Sequence, residues 1–248
     1  MTVALYMFLG LAAATLDGVG VVYLRRRKYV NAVVQIGCGF VLELLSVPCV
    51  AAKVYASLAS VSAVVAVVCS RDVRRGFEYG CALTLMIVGT ISVAYVSRND
   101  ANAAATDLPV WVYLALAAVP ISSLHVAAKA LRCHNPKMMR PWEKILLIVA
   151  DSAVATLNLS LMETMTRCSV WIMFLAVALL TAVNFYTTSA SLRVNSVTLH
   201  APIFLVLYLV GGMMLDRQLS SVSIPQLIIP AICLVGGLVL VLYYEERQ

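Results

Sequence analysis

Charged side chains are scarce in this sequence: Asp, Glu, Lys and Arg make up 12% of 248 residues, about half the share usual in soluble domains. A chain so poor in charge cannot clothe an ordinary water-facing surface, which excludes a soluble globular domain. Cysteine motifs are missing as well. The seven cysteines, at 38, 49, 69, 81, 133, 168 and 233, form no C-x-x-C pair, so neither a disulfide framework nor a zinc site has support. The three histidines are equally dispersed. There is no phosphate-cradling G-x-x-x-x-G-K, no nucleophile elbow and no metalloprotease helix. An enzyme is therefore not expected, and no cofactor is implied.

What the chain has instead is length of apolar sequence. Hydrophobic residues make up 62% of it and the mean hydropathy is +0.93. A membrane span needs about 20 mostly apolar residues, and the charges here gather in short clusters separated by runs of that size. The runs cover 3–24, 30–52, 54–70, 77–96, 109–131, 145–163, 168–190, 196–215 and 225–244. The first has no basic residue before it, contains Asp17 and is followed by RRRK, the wrong charge order for a secretory signal. It reads as a retained span. A β-barrel would need alternating ten-residue segments, whereas continuous runs such as SVSAVVAVV and IPAICLVGGLVLVLYY dominate. The expected fold is all-α, a polytopic bundle of about nine transmembrane helices.

The net charge of +6 is distributed by topology rather than for nucleic acid. RRRK follows the first run, RDVRR the third, RCHNPKMMRPWEK the fifth and Arg193 the seventh, while the intervening loops are poorer in Lys and Arg. Basic loops mark the cytoplasmic side. The N-terminus is thus expected outside and the C-terminus in the cytoplasm.

Residues 56–96 and 198–244 look alike: a small-residue entry, an apolar span, a short charged turn and a second span with central glycine. By the charge rule the two pairs run in opposite directions, the pattern of an inverted repeat, which in transporters places the substrate site near the bilayer midplane. The expected organisation is a first half of four helices over 1–97, an exterior linker over 98–108 and a second half of five helices over 109–248.

NFYTTSASLRVNSVTLHAPIFLVLYLVGGMMLDRQ followed by LVGGLVLVLYY resembles the closing helices of the drug/metabolite transporter superfamily. Within it, FLGLAAATLDGVGVVYLRRRKYV, GCGFVLELLSVPCVAA with its embedded glutamate, SLASVSAVVAVVCS and VNSVTLHAPIF are similar to stretches of the NIPA-type magnesium transporters. The resemblance implies an inverted-repeat transporter fold, magnesium as substrate, and a plasma or endosomal membrane. A homodimer is the assembly to test.

Polar residues inside the spans carry the chemistry. An Asp at a helix centre costs about 2.5–3.5 kcal/mol on insertion scales, so such groups face the bundle interior and usually serve a pathway. Asp17, Glu43 and Asp151, placed well inside their spans, supply up to three carboxylates, and they are the candidate metal ligands. Asp151 and Asn158, seven residues apart, share a stripe. Asn184 has Thr181 and Thr188 at i−3 and i+4, and Pro202 can free a carbonyl. An interior with uncompensated negative charge wants a cation, and hard oxygen donors suit magnesium or calcium. The alternatives are an N-cap-like or Lys144-paired role for Asp151 and pairing of Asp17 with RRRK. At the level of function they are a carrier of a neutral or cationic organic solute, and a membrane subunit that transports nothing.

Overall fold

The computed structural model describes residues 3–46, 52–70, 77–97, 110–132, 138–167, 174–215 and 224–246. Among them the chain is all-helical, with no strand: α1 (Val3–Arg25), α2 (Tyr29–Ser46), α3 (Ala52–Cys69), α4 (Phe77–Ser97), α5 (Val110–Arg132), α6 (Pro141–Arg167), α7 (Phe174–Val194), α8 (Val197–Leu215) and α9 (Ile224–Glu246). Each falls on one of the apolar runs. The linker 98–108 lies outside the described residues. Among the described residues, four stretches are long and apolar enough to cross a membrane: Leu5–Arg25, Tyr29–Ser46, Pro141–Met162 and Phe174–Val194. Outward-facing side chains such as Val30, Leu179 and Ile232 are apolar and exposed, as lipid-facing positions require. This is a helical membrane protein.

Local chemistry sets the helix ends. α1 stops in a Schellman motif: Lys28 N–H donates to Tyr23 C=O, Arg27 N–H donates to Leu24 C=O, and Arg27 takes the left-handed conformation at φ 57°. α6 starts a turn earlier than the apolar run suggests, at Pro141, the first-position residue whose missing N–H costs nothing. Glu143 reaches back to accept the Arg140 N–H at 2.8 Å, the second half of a capping box, and also accepts from Lys129 Nζ at 2.6 Å. Ser196 caps α8 by accepting the Leu199 N–H at 3.1 Å.

These ends converge. Arg26 Nη2 donates to the Cys69 carbonyl at 3.1 Å, and Asn195 Nδ2 to the Lys144 carbonyl at 3.1 Å. The C-termini of α1, α3 and α7 and the N-terminus of α6 thus meet at one end of the bundle, where Arg25, Arg26, Lys129, Arg140, Lys144 and Arg193 gather. The alternation of basic loops in the sequence becomes a basic end in space. α1 and α6 run in opposite directions.

Packing follows a repeated plan. α1 lies along α2 and α3, and α6 lies along α7 and α8; α3 packs on α8 and α4 on α9, while α5 sits against α6 and α7. In lipid such contacts rest on close approach rather than on a hydrophobic gain. A methyl at Gly18 would strike the Ser62 carbonyl and Val65, and one at Gly237 would strike Met86 and the Ala82 carbonyl. These glycines let α1 meet α3 and α9 meet α4 backbone to backbone.

Candidate functional site

Between α1–α3 and α6–α8 lies a cavity of about 160 Å³, room for several water molecules, each of which takes about 30 Å³ in the liquid. Five of the six residues singled out from the sequence line it: Asp17 from α1, Glu43 from α2, Asp151 and Asn158 from α6, and Asn184 from α7. No Lys or Arg does. Phe40, Phe185, Phe204 and Tyr208 supply much of the remaining wall.

Depth follows from helix rise. Asp17 lies eight residues before Arg25 and Asp151 seven after Lys144, which puts both about 10–12 Å from the basic end. Glu43 and Asn158, each about fourteen residues in, lie near 21 Å. The cavity therefore has a layer nearer the basic end and a deeper one.

Asp151, fully buried, is the best-held polar group of the upper layer. Its Oδ1 accepts from the hydroxyls of Thr187 at 2.9 Å and Thr188 at 2.6 Å. Asn184, with its amide nitrogen turned toward Asp151 as the neighbouring acceptors require, adds a third donor at 3.0 Å. Oδ2 has no hydrogen-bond donor, but His200 Nε2 stands 3.2 Å away, at ion-pair distance and off the line of a hydrogen bond. The other ring nitrogen, Nδ1, is 2.8 Å from Ser191 Oγ, which also accepts from Asn195 Nδ2 at 3.2 Å. Nε2 is thus the ring nitrogen that faces Asp151.

The expectations for Asp151 as a helix cap or as a Lys144 partner are thus corrected. α6 begins ten residues earlier, and Lys144 meets Asn195 through its carbonyl. Asp17 likewise does not pair with the basic cluster. Arg25 and Arg26 turn to main-chain carbonyls, while Asp17 fills the space left by the missing side chain of Gly39, where a methyl would collide with its Oδ1.

In the deeper layer Asn158 Nδ2 donates to Thr181 Oγ1 at 3.0 Å, and Asn158 Oδ1 is buried without a donor. The stripes Asp151/Asn158 on α6 and Thr181/Asn184/Thr188 on α7 are therefore two sides of one polar seam. Glu43, Asp17 and Tyr208 line the same cavity.

Pro202 is the exception. It lies inside α8 but does not line the cavity. Its missing N–H leaves the carbonyl four residues earlier, that of Thr198, without a helical donor. Tyr79 of α4 donates its hydroxyl there, at 3.2 Å. The freed carbonyl ties two helices together rather than facing a path.

His200 is the functional-site residue that sequence reasoning missed. As an ionisable ring inside the apolar run TLHAPIFLVL, it carries the same signal as an in-span carboxylate. Its ring also stacks on Phe204, and Phe204 on Tyr208, with centroids 5.7 and 5.6 Å apart. One face of α8 thus runs from Asp151 toward Glu43.

Asp17, Glu43 and Asp151 share the cavity, but no three His, Cys, Asp or Glu side chains among the described residues stand close enough together to clasp one metal ion. Among the described residues, Cys38, Cys69, Cys81 and Cys233 are free thiols. The fold and site define a helical membrane protein with a buried, carboxylate-lined cavity. Compared with family models, with characterised proteins and with solved structures, the chain matches none.

Proposed function

We propose that this chain is a membrane transporter that moves a cation, with magnesium as the first candidate, through the cavity between α1–α3 and α6–α8. The observation that carries the reading is the lining: among the described residues, three carboxylates from three helices and no Lys or Arg. Such a site repels anions and offsets the cost of bringing a cation out of water. Because the carboxylates do not form a chelating cluster, the ion is held with most of its own waters, in keeping with the reluctance of magnesium to shed them. Asn158 Oδ1, buried and without a donor, is an acceptor for one of those waters.

The nine helices cross the bilayer, with the basic end cytoplasmic, the N-terminus outside and the C-terminus inside. The chain is read as an inverted repeat of α1–α4 and α6–α9, with α5 the added helix of the second half. Matching neighbour patterns in the two sets support this, as does the opposite direction of α1 and α6. The bilayer is its partner in the cell, at the plasma or an endosomal membrane.

A second reading, a carrier of a cationic organic solute, is favoured by the four aromatic side chains of the wall, which suit an apolar body. One experiment separates the readings: magnesium uptake into proteoliposomes under an imposed negative internal potential, followed with an internal magnesium dye. Saturable uptake that is lost in Glu43→Gln, with normal insertion, supports the first reading. Absence of uptake from well-folded wild-type protein refutes it, and competition by an organic cation selects the second.

A further inference from the structure

We propose that Arg25 is the latch of a gate at the basic end of the cavity, which opens when α1–α3 part from α6–α8 there about a pivot made by α3 with α8 and α4 with α9. The proposal rests on reading the cavity as the substrate's compartment and concerns how that compartment is reached.

Each side of the cavity is knit into one body. In the first, Gly18 meets the backbone of α3, while Gly20 and Gly39 meet Ile36 and Asp17 across the α1–α2 contact, with no room for a methyl at any of the three. In the second, Gly211 meets Thr156 in the same way, and Asp151 ties α6 to α7 and, through His200, to α8. Between the bodies, packing is uneven. α3 lies along α8 and α4 along α9, the latter with Gly89 and Gly237 at the contact, whereas α2 packs on α1 and comparably on no other helix among the described residues. On that side α1 meets α7 only lightly, and Phe40 and Leu44 of α2 reach across with their side chains. Backbones held that close cannot easily separate, but side chains that merely touch can. The bundle is therefore hinged behind the cavity and closable in front of it.

Arg25 closes the front at the basic end. Its Nη1 donates to the Leu192 carbonyl at 2.7 Å, from the last turn of α1 to the last turn of α7. Carbonyls of a final helical turn lack an intrahelical donor and sit at the negative end of the helix dipole, so a guanidinium is a fitting partner. Val21, one turn deeper on α1, already lines the cavity. Arg26, its sequence neighbour, bonds instead to Cys69 of its own body. The two arginines share charge and location but not the cleft, which makes Arg26 the control.

The test is the rate at which a water-soluble maleimide labels Val21→Cys in nanodiscs, in a chain whose seven native cysteines are replaced by alanine. Arg25→Gln is expected to raise the rate about tenfold, the scale set by one hydrogen bond to a charged group. Arg26→Gln should leave it unchanged, and Arg25→Lys should fall between. Ala127→Cys, buried among α5–α7, reports general loosening and should stay unlabelled throughout. No change with Arg25→Gln, an equal change with Arg26→Gln, or labelling of Ala127→Cys as well would each overturn the proposal. Should the Arg25 variants fail to fold, spin labels at Val30→Cys and Ile145→Cys, at the basic end of opposite bodies, decide with Arg25 intact. Two distance populations are expected, and a single narrow one refutes the gate. Neither readout uses flux. A chain that opens this way yet moves no magnesium would keep the gate and lose the transported ion, and the reverse result would do the opposite.

Discussion

Replacing Thr188 by Val removes one hydroxyl and almost no volume, and the hydroxyl is the closest donor to Asp151 Oδ1, at 2.6 Å. Thr188 has a single proton and two acceptors in reach, Asp151 and the Asn184 carbonyl at 2.8 Å. The carboxylate is the better acceptor, because the Asn184 carbonyl is engaged by its own helix. A hydrogen bond to a carboxylate contributes about 1.5–3 kcal/mol in soluble proteins. Interhelical hydrogen bonds in a membrane protein average about 0.6 kcal/mol and reach about 1.7, because the unfolded helices also find partners in the membrane. Oδ1 keeps Thr187 and Asn184, so the upper membrane value applies rather than the soluble one. The expected loss is about 1.5 kcal/mol, roughly tenfold in the unfolding equilibrium. Reversible unfolding in mixed detergent micelles, followed by tryptophan fluorescence, measures it. The sharper check is a cycle with Asp151→Leu, in which Thr188→Val should cost almost nothing. Equal losses in both backgrounds would show that Thr188 acts through packing and would sink the account of Asp151.

Three further outcomes follow from the same contacts. Gly39→Ala should destabilise by about 1–3 kcal/mol through overpacking against Asp17, and Asp17→Ala should relieve most of that loss in the same unfolding assay; no relief would mean that the glycine is needed for something other than the carboxylate. His200→Phe preserves the ring on Phe204 but removes the Nδ1 partner of Ser191 Oγ, which keeps Asn195, and leaves Asp151 Oδ2 without its neighbour, for an expected loss of about 1–3 kcal/mol; a variant as stable as wild type would show that the polar side of the ring is idle. Tyr79→Phe should cost about 1 kcal/mol, and less in Pro202→Ala, where a restored N–H at position 202 competes for the Thr198 carbonyl; equal costs in the two backgrounds would refute the freed-carbonyl explanation.

Apolar length places a helix on each of the nine runs that the described residues show as helical, because in lipid a backbone has few ways to satisfy itself. The in-span rule selects Asp17, Glu43, Asp151, Asn158 and Asn184, which line one cavity. It works because polar groups that cannot face hydrocarbon must face each other. The same rule, applied to carboxylates and amides but not to His200, missed the partner of Asp151. Pro202 went the other way: the carbonyl it frees was legible, but its taker, Tyr79, lies 119 positions earlier in the chain.

The sequence by itself determined that this is a helical membrane protein, where its helices lie and which side chains must be hidden from lipid, since composition and periodicity act locally and within each span. Only the tertiary structure decided the partnerships. Asp151 is held by Thr187, Thr188 and His200 rather than by a lysine, Arg25 reaches α7 while Arg26 stays with α3, and three carboxylates share a cavity without forming a chelate. Those outcomes depend on helix rotation and on how closely backbones approach. Both are set by contacts between residues far apart in the chain, such as Gly18 with Ser62 and Gly237 with Met86.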